Sequence, residues 1–233
     1  VTGRNAKMEI IMGGPKVKLI SYTQPVDEIK TQGVSNALEL VAFCARVSNP
    51  SNQFNSESAE KLVKYLVKHK HWSPLEMVDA TIEIDTTRDI THQIIRHRSF
   101  SFQEFSQRYA DPTKDMQFVT REARLQDNKN RQNSIEVDDV YLQNEWYRSQ
   151  QRVLFAAERE YEWAIKNGIA KEQARAVLPE GLTNSRVYMK GSIRSWLHYI
   201  EVRSDPSTQK EHREVALGCA REIVRIFPNI INI

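Results

Sequence analysis

Between residues 78 and 98 the apolar period of the chain changes without a break. The stretch VDATIEID, residues 78–85, alternates apolar and polar side chains, the pattern of a strand with one buried face. From Thr86 the spacing becomes helical. Ile90, Ile94 and Ile95 supply the buried side, and Arg88, His92 and Arg96 stand four apart on another. Thr86 is placed to cap this helix, with Asp89 three residues on, and the pattern carries the helix to about Arg98. A strand feeding straight into a helix commits the chain to a mixed architecture. Residues 17–21 and 186–189 also read as strands. Residues 35–47, 58–68, 140–167, 193–203 with Ser192 as cap, and 209–227 read as helices, with a further short one ending at Leu178 before Pro179. The expectation is a helix-rich α+β fold.

At 233 residues the chain suits one domain, residues 17–233, preceded by residues 1–16 as a flexible N-terminus or expression remnant with Met8 as a candidate start. Residues 110–140 are polar and aperiodic and read as a long loop, of the kind that forms a site, a lid or a disordered segment. No apolar run approaches 18 residues, and the N-terminal apolar stretch is too short for a signal peptide. Cys44 and Cys219 form no CxxC pair or zinc spacing and read as free thiols of a reducing, cytoplasmic compartment. A net charge of +3 is too mild for a tail-type nucleic-acid binder, so positive charge matters locally here.

It is concentrated in RHRSFSFQEFSQRY, residues 96–109. Arg96, His97 and Arg98 form a cationic triplet, and extended backbone beyond it turns Phe100, Phe102, Glu104 and Ser106 one way and Ser101, Gln103, Phe105 and Gln107 the other. Aromatics on both faces mean that neither is simply a core face. Arg96, Arg98 and Arg108 bring forked donors suited to phosphate, and Ser106 a neutral one. Glu104 either neutralises the arginines or holds a ribose hydroxyl. A surface lattice of ion pairs and a non-catalytic RNA- or single-strand-binding module with Arg and Phe stacking remain open on these residues alone.

Elsewhere, Arg175 lies in an apolar turn and needs an anionic partner if buried. Arg194 and His198 share a helix face, while Arg203 lies about half a turn around from Arg194. His71 reads first as a helix C-terminal histidine. There is no GxGxxG, no GxxxxGK[ST] and no HExxH, and no metal site is expected. Ser106 lacks an evident base, so it is expected to position rather than attack.

The spacing RHR, seven residues, then Ser106 resembles the signature of the flavin-dependent thymidylate synthases, in the style of their viral and phage branch. Ala45-Arg46-Val47-Ser48, His71-x-Ser73-Pro74-x-Glu76, Gln93, Arg175 before Val177-Leu178-Pro179, and Arg194-x3-His198-x4-Arg203-x-Asp205-x3-Gln209-x-Glu211 follow in family order across residues 45–211. The resemblance implies a homotetramer with a mostly antiparallel sheet and active sites between subunits. There FAD and dUMP bind, 5,10-methylenetetrahydrofolate donates the carbon, and NADPH reduces the flavin. The expected products are dTMP and tetrahydrofolate. By position it assigns Ser48, His71, Ser73, Arg96, His97, Arg98, Glu104, Ser192, Arg194 and His198 to the cofactor side. It assigns Gln93, Arg96, Glu104, Ser106, Gln107, Arg108 and Arg175 to dUMP, with Arg203 as the arginine that activates uracil. It implies no metal, nucleic-acid or membrane partner, and a cytoplasmic setting, that of the host if the chain is viral.

Overall fold

A computed structural model describes residues 13–230 together with the backbone of Ile10–Ile11. The elements in chain order are β1 (Ile10–Ile11), β2 (Lys16–Tyr22), α1 (Asp27–Thr31), α2 (Ala37–Ala45), α3 (Ala59–Lys68), β3 (Asp79–Thr87), α4 (Arg88–Ile94), β4 (Ser101–Glu104), α5 (Pro112–Asp115), β5 (Phe118–Val119), β6 (Arg124–Gln126), β7 (Ser134–Glu136), α6 (Val140–Lys166), α7 (Lys171–Ala174), β8 (Asn184–Ser192), α8 (Ile193–Arg203) and α9 (Lys210–Ile226). Short 3₁₀ turns at Pro50–Asn52, Ser73–Met77 and Arg175–Val177 complete the path.

The alternating stretch forms the centre of the main sheet, whose order is β2-β3-β8-β4 with every pairing antiparallel. Ala80, Ile82 and Ile84 of β3 and Val187 and Met189 of β8 are buried, while Thr81, Glu83, Tyr188 and Lys190 between them reach outward. β-Branched residues on such a half-buried surface stabilise the strand by packing, each fully buried aliphatic contributing roughly 1.5–3 kcal/mol. The buried face meets Ile90, Ile94, Trp196, Tyr199, Ile200, Val215 and Cys219 from the helices. The buried Trp196 donates from Nε1 to the Ala80 carbonyl at 3.1 Å, so helix α8 is tied to the strand it covers. The polar face carries Arg186 paired to Asp85 through two contacts of 2.7 Å. A second, smaller core joins Phe118, Leu154, Tyr161 and Leu178 under α6.

The architecture is the expected helix-rich α+β, with local corrections. Thr87, not Thr86, occupies the cap position of α4, and its side chain makes no cap bond to the helix backbone. Helix α4 stops at Ile94 rather than near Arg98, because Phe100 must turn into the core and Ser101 must enter pairing with Lys190 of β8. Residues 110–140 are not a structureless loop: they carry α5, β5 and the β6–β7 hairpin. Of the residues expected to be a flexible N-terminus, Ile10–Ile11 pair in parallel with Phe118–Val119 and Lys16 begins β2; Met8 and the other residues before Ile10 lie outside the described residues. Among the described residues no helix is long and apolar enough to cross a membrane.

Candidate functional site

Residues 96–109 leave α4, cross the sheet edge as β4 and end against α7, so their side chains fall into different neighbourhoods. Phe100 is 9 % exposed and packs edge-on against Trp196, with ring centroids 4.8 Å apart. Its face is therefore a core face at that position, which the aromatic alternation did not foresee. Ser101 and Gln103 point to solvent. Arg96 and Arg98 are exposed and have no ion-pair partner among the described residues.

His97 is no cation. Arg203 donates from Nε to His97 Nε2 at 2.9 Å, which requires that nitrogen to be unprotonated. Burial, then the charges of Arg203 and His198, bring the His97 pKa down to about 4. Arg203 in turn ends α8 with no carboxylate partner among the described residues, its guanidinium fixed through one nitrogen on a neutral ring.

Behind this pair lies a buried polar chain. His212 on α9 is fully buried, with Nδ1 3.2 Å from Gln93 Oε1 and Nε2 3.1 Å from the Tyr199 hydroxyl. Gln93 donates to Gln209 Oε1 at 2.9 Å, and Gln209 donates to Glu211 Oε2 at 3.0 Å. Arg124 binds the other Glu211 oxygen at 2.6 Å, and Arg121 Nε stands 4.0 Å from it. Burial would raise the Glu211 carboxyl, but its backbone bond, Arg121, Gln209 and Arg124 together hold it below the ordinary carboxylate range.

Glu104 takes both of its bonds on one oxygen: Arg88 at 3.2 Å and the Ser185 hydroxyl at 2.8 Å both reach Oε1. Oε2 has no bond among the described residues. Further on, Ser106 Oγ accepts from the Arg108 amide at 3.3 Å, with no histidine or carboxylate bonded to it, so the serine is not set up as a nucleophile. Gln107 is 3 % exposed, and its Nε2 lacks a partner among the described residues. Arg108 pairs with Glu172 at 3.3 Å, and Arg175 Nε donates to the Glu172 carbonyl at 3.3 Å. Lys171 binds the Tyr109 carbonyl at 2.9 Å, so the segment is docked on α7, and Arg108 and Arg175 converge on Glu172.

A cavity of about 620 Å³ lies on the other side of α8, lined by Trp72, Ser192, Arg194 and His198 among others. Ser192 caps α8 by accepting from the Ser195 amide. Arg194 contacts Glu76, and Ser73 opens the 3₁₀ turn that carries Glu76. Arg194 and His198 thus do share a face, and Arg203 looks elsewhere, as their spacing required. His71 is exposed and meets the Tyr65 ring edge-on at 6.0 Å. Ser48 is exposed beyond α2, and no described contact joins it to the other candidates. Neighbouring Arg46 is buried and spends its guanidinium on the Asn55 carbonyl and the Ser58 hydroxyl, so it braces the α2–α3 connection.

Sequence reasoning missed Tyr199, His212, Arg88 and Ser185 as parts of these networks. His212 had a signal: it stands three and four residues before Val215 and Ala216, on the apolar stripe of its helix, where an unsatisfied histidine would be costly. Neither thiol is primed as a nucleophile. Cys219 is fully buried and burial pushes its thiol far up; burial also raises that of Cys44. No cluster of three or more metal-ligating side chains occurs among the described residues.

Comparison with known proteins adds to this geometry. Residues 29–229 match the family model described as "Thymidylate synthase complementing protein". A probable flavin-dependent thymidylate synthase of Paramecium bursaria Chlorella virus 1 is 47% identical over 214 residues, 91% of this chain and 95% of the relative. The flavin-dependent thymidylate synthase of a Synechocystis species is 47% identical over 215 residues, 92% of this chain and 96% of the relative. The fold is shared with a solved UMP/dUMP methylase, PolB of Streptomyces cacaoi bound with 5-Br dUMP, at a TM-score of 0.78 and 24% identity over 95% of this chain and 94% of that one. These matches give the single-strand-binding alternative no support. With its family signature spread over the networks just described and nearly half its residues identical to such enzymes, the chain belongs to the flavin-dependent thymidylate synthase family.

Proposed function

We propose that this family member converts dUMP to dTMP with 5,10-methylenetetrahydrofolate as carbon donor, FAD as bound redox group and NADPH as reductant, on sites completed between the subunits of a homotetramer. The observation that carries the reading is Arg203: a guanidinium oriented by a neutral histidine and matched by no carboxylate among the described residues. Such a group is free to favour negative charge on an incoming uracil near N3 and O2, which raises the nucleophilicity of the ring. The missing cysteine nucleophile fits this route, since activation then rests on charge rather than on covalent attachment.

The residues suit the partners. Arg96 and Arg98 are exposed cations without a counter-charge among the described residues, suited to the pyrophosphate of FAD. Ser192, Arg194 and His198 serve the flavin from the adjoining cavity and Ser73 from the turn beside it; His97 serves the flavin while fixing Arg203, and Ser48 and His71 serve the outer flavin and folate side. Bound flavin, once reduced by NADPH, would supply the hydride that completes the new methyl group. Glu104 offers Oε2 to a ribose hydroxyl while Arg88 and Ser185 hold Oε1. Ser106, Arg108 and Arg175 take the nucleotide phosphate, and Gln107 spends its unmet amide there, where leaving it buried and unbonded costs about 1–3 kcal/mol. Gln93 supports the base side.

The homotetramer accounts for exposed apolar surface on α6. Tyr141, Phe155 and Trp163 are 75%, 56% and 58% exposed. At 3.6 residues per turn they fall within about 80° of one another, opposite the stripe of Leu154 and Tyr161. The reading places the enzyme in the cytoplasm, where its nucleotide and folate substrates occur. It is tested by rescue of a thymidine-requiring bacterium that lacks its own synthase. Growth without thymidine is expected for the parent chain and no growth for Arg203→Ala; failure of the expressed parent to rescue would overturn the reading.

A further inference from the structure

The polar chain behind Arg203 has a direction that can be worked out from one end. Glu211 is ionised and accepts only, so Gln209 must turn its amide nitrogen toward it and its oxygen toward Gln93. Gln93 must then give its nitrogen to Gln209, which leaves its oxygen facing His212 Nδ1. An oxygen acceptor there requires the imidazole proton on Nδ1. His212 Nε2 is therefore a bare acceptor, and the Tyr199 hydroxyl is its donor. Every proton position from Glu211 to Tyr199 follows from a single carboxylate.

The surroundings keep the imidazole in that state. His212 has no exposure to solvent, and burial, then Arg203, then His97 bring its pKa down to about 3. The Tyr199 ring packs against both imidazoles, its centroid 4.9 Å from His97 and 5.8 Å from His212, which are themselves 6.4 Å apart, and its hydroxyl is held protonated by burial. Among the described residues the arrangement leaves Gln93 with one spare amide hydrogen and one spare lone pair, both at fixed positions.

We propose that His212, locked as the Nδ1–H tautomer between Gln93 and Tyr199, is a positioning residue that anchors the Gln93 carboxamide for the nucleotide, in the orientation that Gln209 imposes. The proposal rests on the dUMP-methylating function stated above, and two independent measurements separate its failure from that of the function. The first is the nitrogen NMR spectrum of the full-length FAD-loaded protein, selectively labelled in its histidine rings. The His212 pair, assigned by its loss in His212→Asn, is expected to show a protonated Nδ1 and a bare Nε2. A protonated Nε2 would overturn the proposal.

The second is dUMP affinity by calorimetry for the parent, His212→Asn and His212→Leu. Asparagine can still donate to Gln93 from about the Nδ1 position, so its Kd should stay within about threefold of the parent. Leucine cannot, and should weaken binding about tenfold, the scale of one hydrogen bond, with FAD content unchanged. Rescue by asparagine is the mark of positioning, since a packing role would favour leucine. Equal affinities for all three proteins, or leucine binding better than asparagine, would overturn it. A parent that binds no dUMP would overturn the function and the nucleotide half of the proposal, while the spectrum still decides the tautomer.

Discussion

His97 and His212 stand in a sequence rich in arginine, yet both are held uncharged, and that choice has a pH signature. In the unfolded chain each takes a proton near pH 6.5, but in the fold only near 4 for His97 and about 3 for His212. Between those values the unfolded state binds more protons, so stability is fully present above pH 6.5 and is lost as the pH falls toward 3. For the fully buried His212 the slope reaches about 1.4 kcal/mol per pH unit. Urea unfolding of the parent and of His212→Asn between pH 4.5 and 7.5 should show a shallower rise with pH in the variant; parallel curves would refute the buried neutral imidazole. A second prediction concerns Glu172, which pairs with Arg108 and, on the proposed reading, would compete there with the nucleotide phosphate. Because this pair is surface-exposed and worth at most about 1 kcal/mol, Glu172→Gln should tighten dUMP binding by up to about fivefold in calorimetry. Weaker binding would argue that Glu172 orients Arg108 instead. At this scale the sequence showed which residues carry charge chemistry but not their ionisation. RHR reads as three cations until burial and Arg203 remove one.

Elements were legible where period and caps agreed. Strand β3, and helix α8 with its Ser192 cap, stand where alternation, helical spacing and a serine placed them. The end of α4 was not legible, because it is set by the demand of β8 for a partner strand and by the seat of Phe100, both distant in sequence. The same holds for residues 110–140. Strands β6 and β7 have three residues each, too few for an alternating pattern, and the hairpin region is held by remote partners: Lys210 to Glu122 and Glu136, and Gln143 to the Ala123 and Val137 carbonyls. The contact of β8 with Phe100 yields a prediction. A Cβ built on Gly191 would lie 2.4 Å from Phe100 Cδ1, inside any permitted contact. Gly191→Ala should therefore destabilise the fold by about 1–3 kcal/mol, read as a lower unfolding midpoint in urea. An unchanged midpoint would show that Phe100 has room to move.

For the whole molecule, the candidate residues fall into separate neighbourhoods along α8, β4 and α7, and one chain alone does not enclose them. On the proposed reading that scatter is what a site shared between subunits requires; sequence order gives the candidate set but not its shape. Light scattering of the purified protein should give a mass four times the 27.1 kDa protomer, reduced by the double change Phe155→Glu and Trp163→Glu. A monomer at micromolar concentration would contradict the shared-site arrangement. The central claim is chemical, and the most direct measurement is product analysis. Purified FAD-loaded protein is incubated with dUMP, 5,10-methylenetetrahydrofolate and NADPH, and nucleotide and folate products are quantified together. The account predicts dTMP and tetrahydrofolate in equal amounts, both lost in Arg203→Ala while flavin stays bound. Flavin-loaded protein that forms no dTMP, or forms it with dihydrofolate instead, would contradict it.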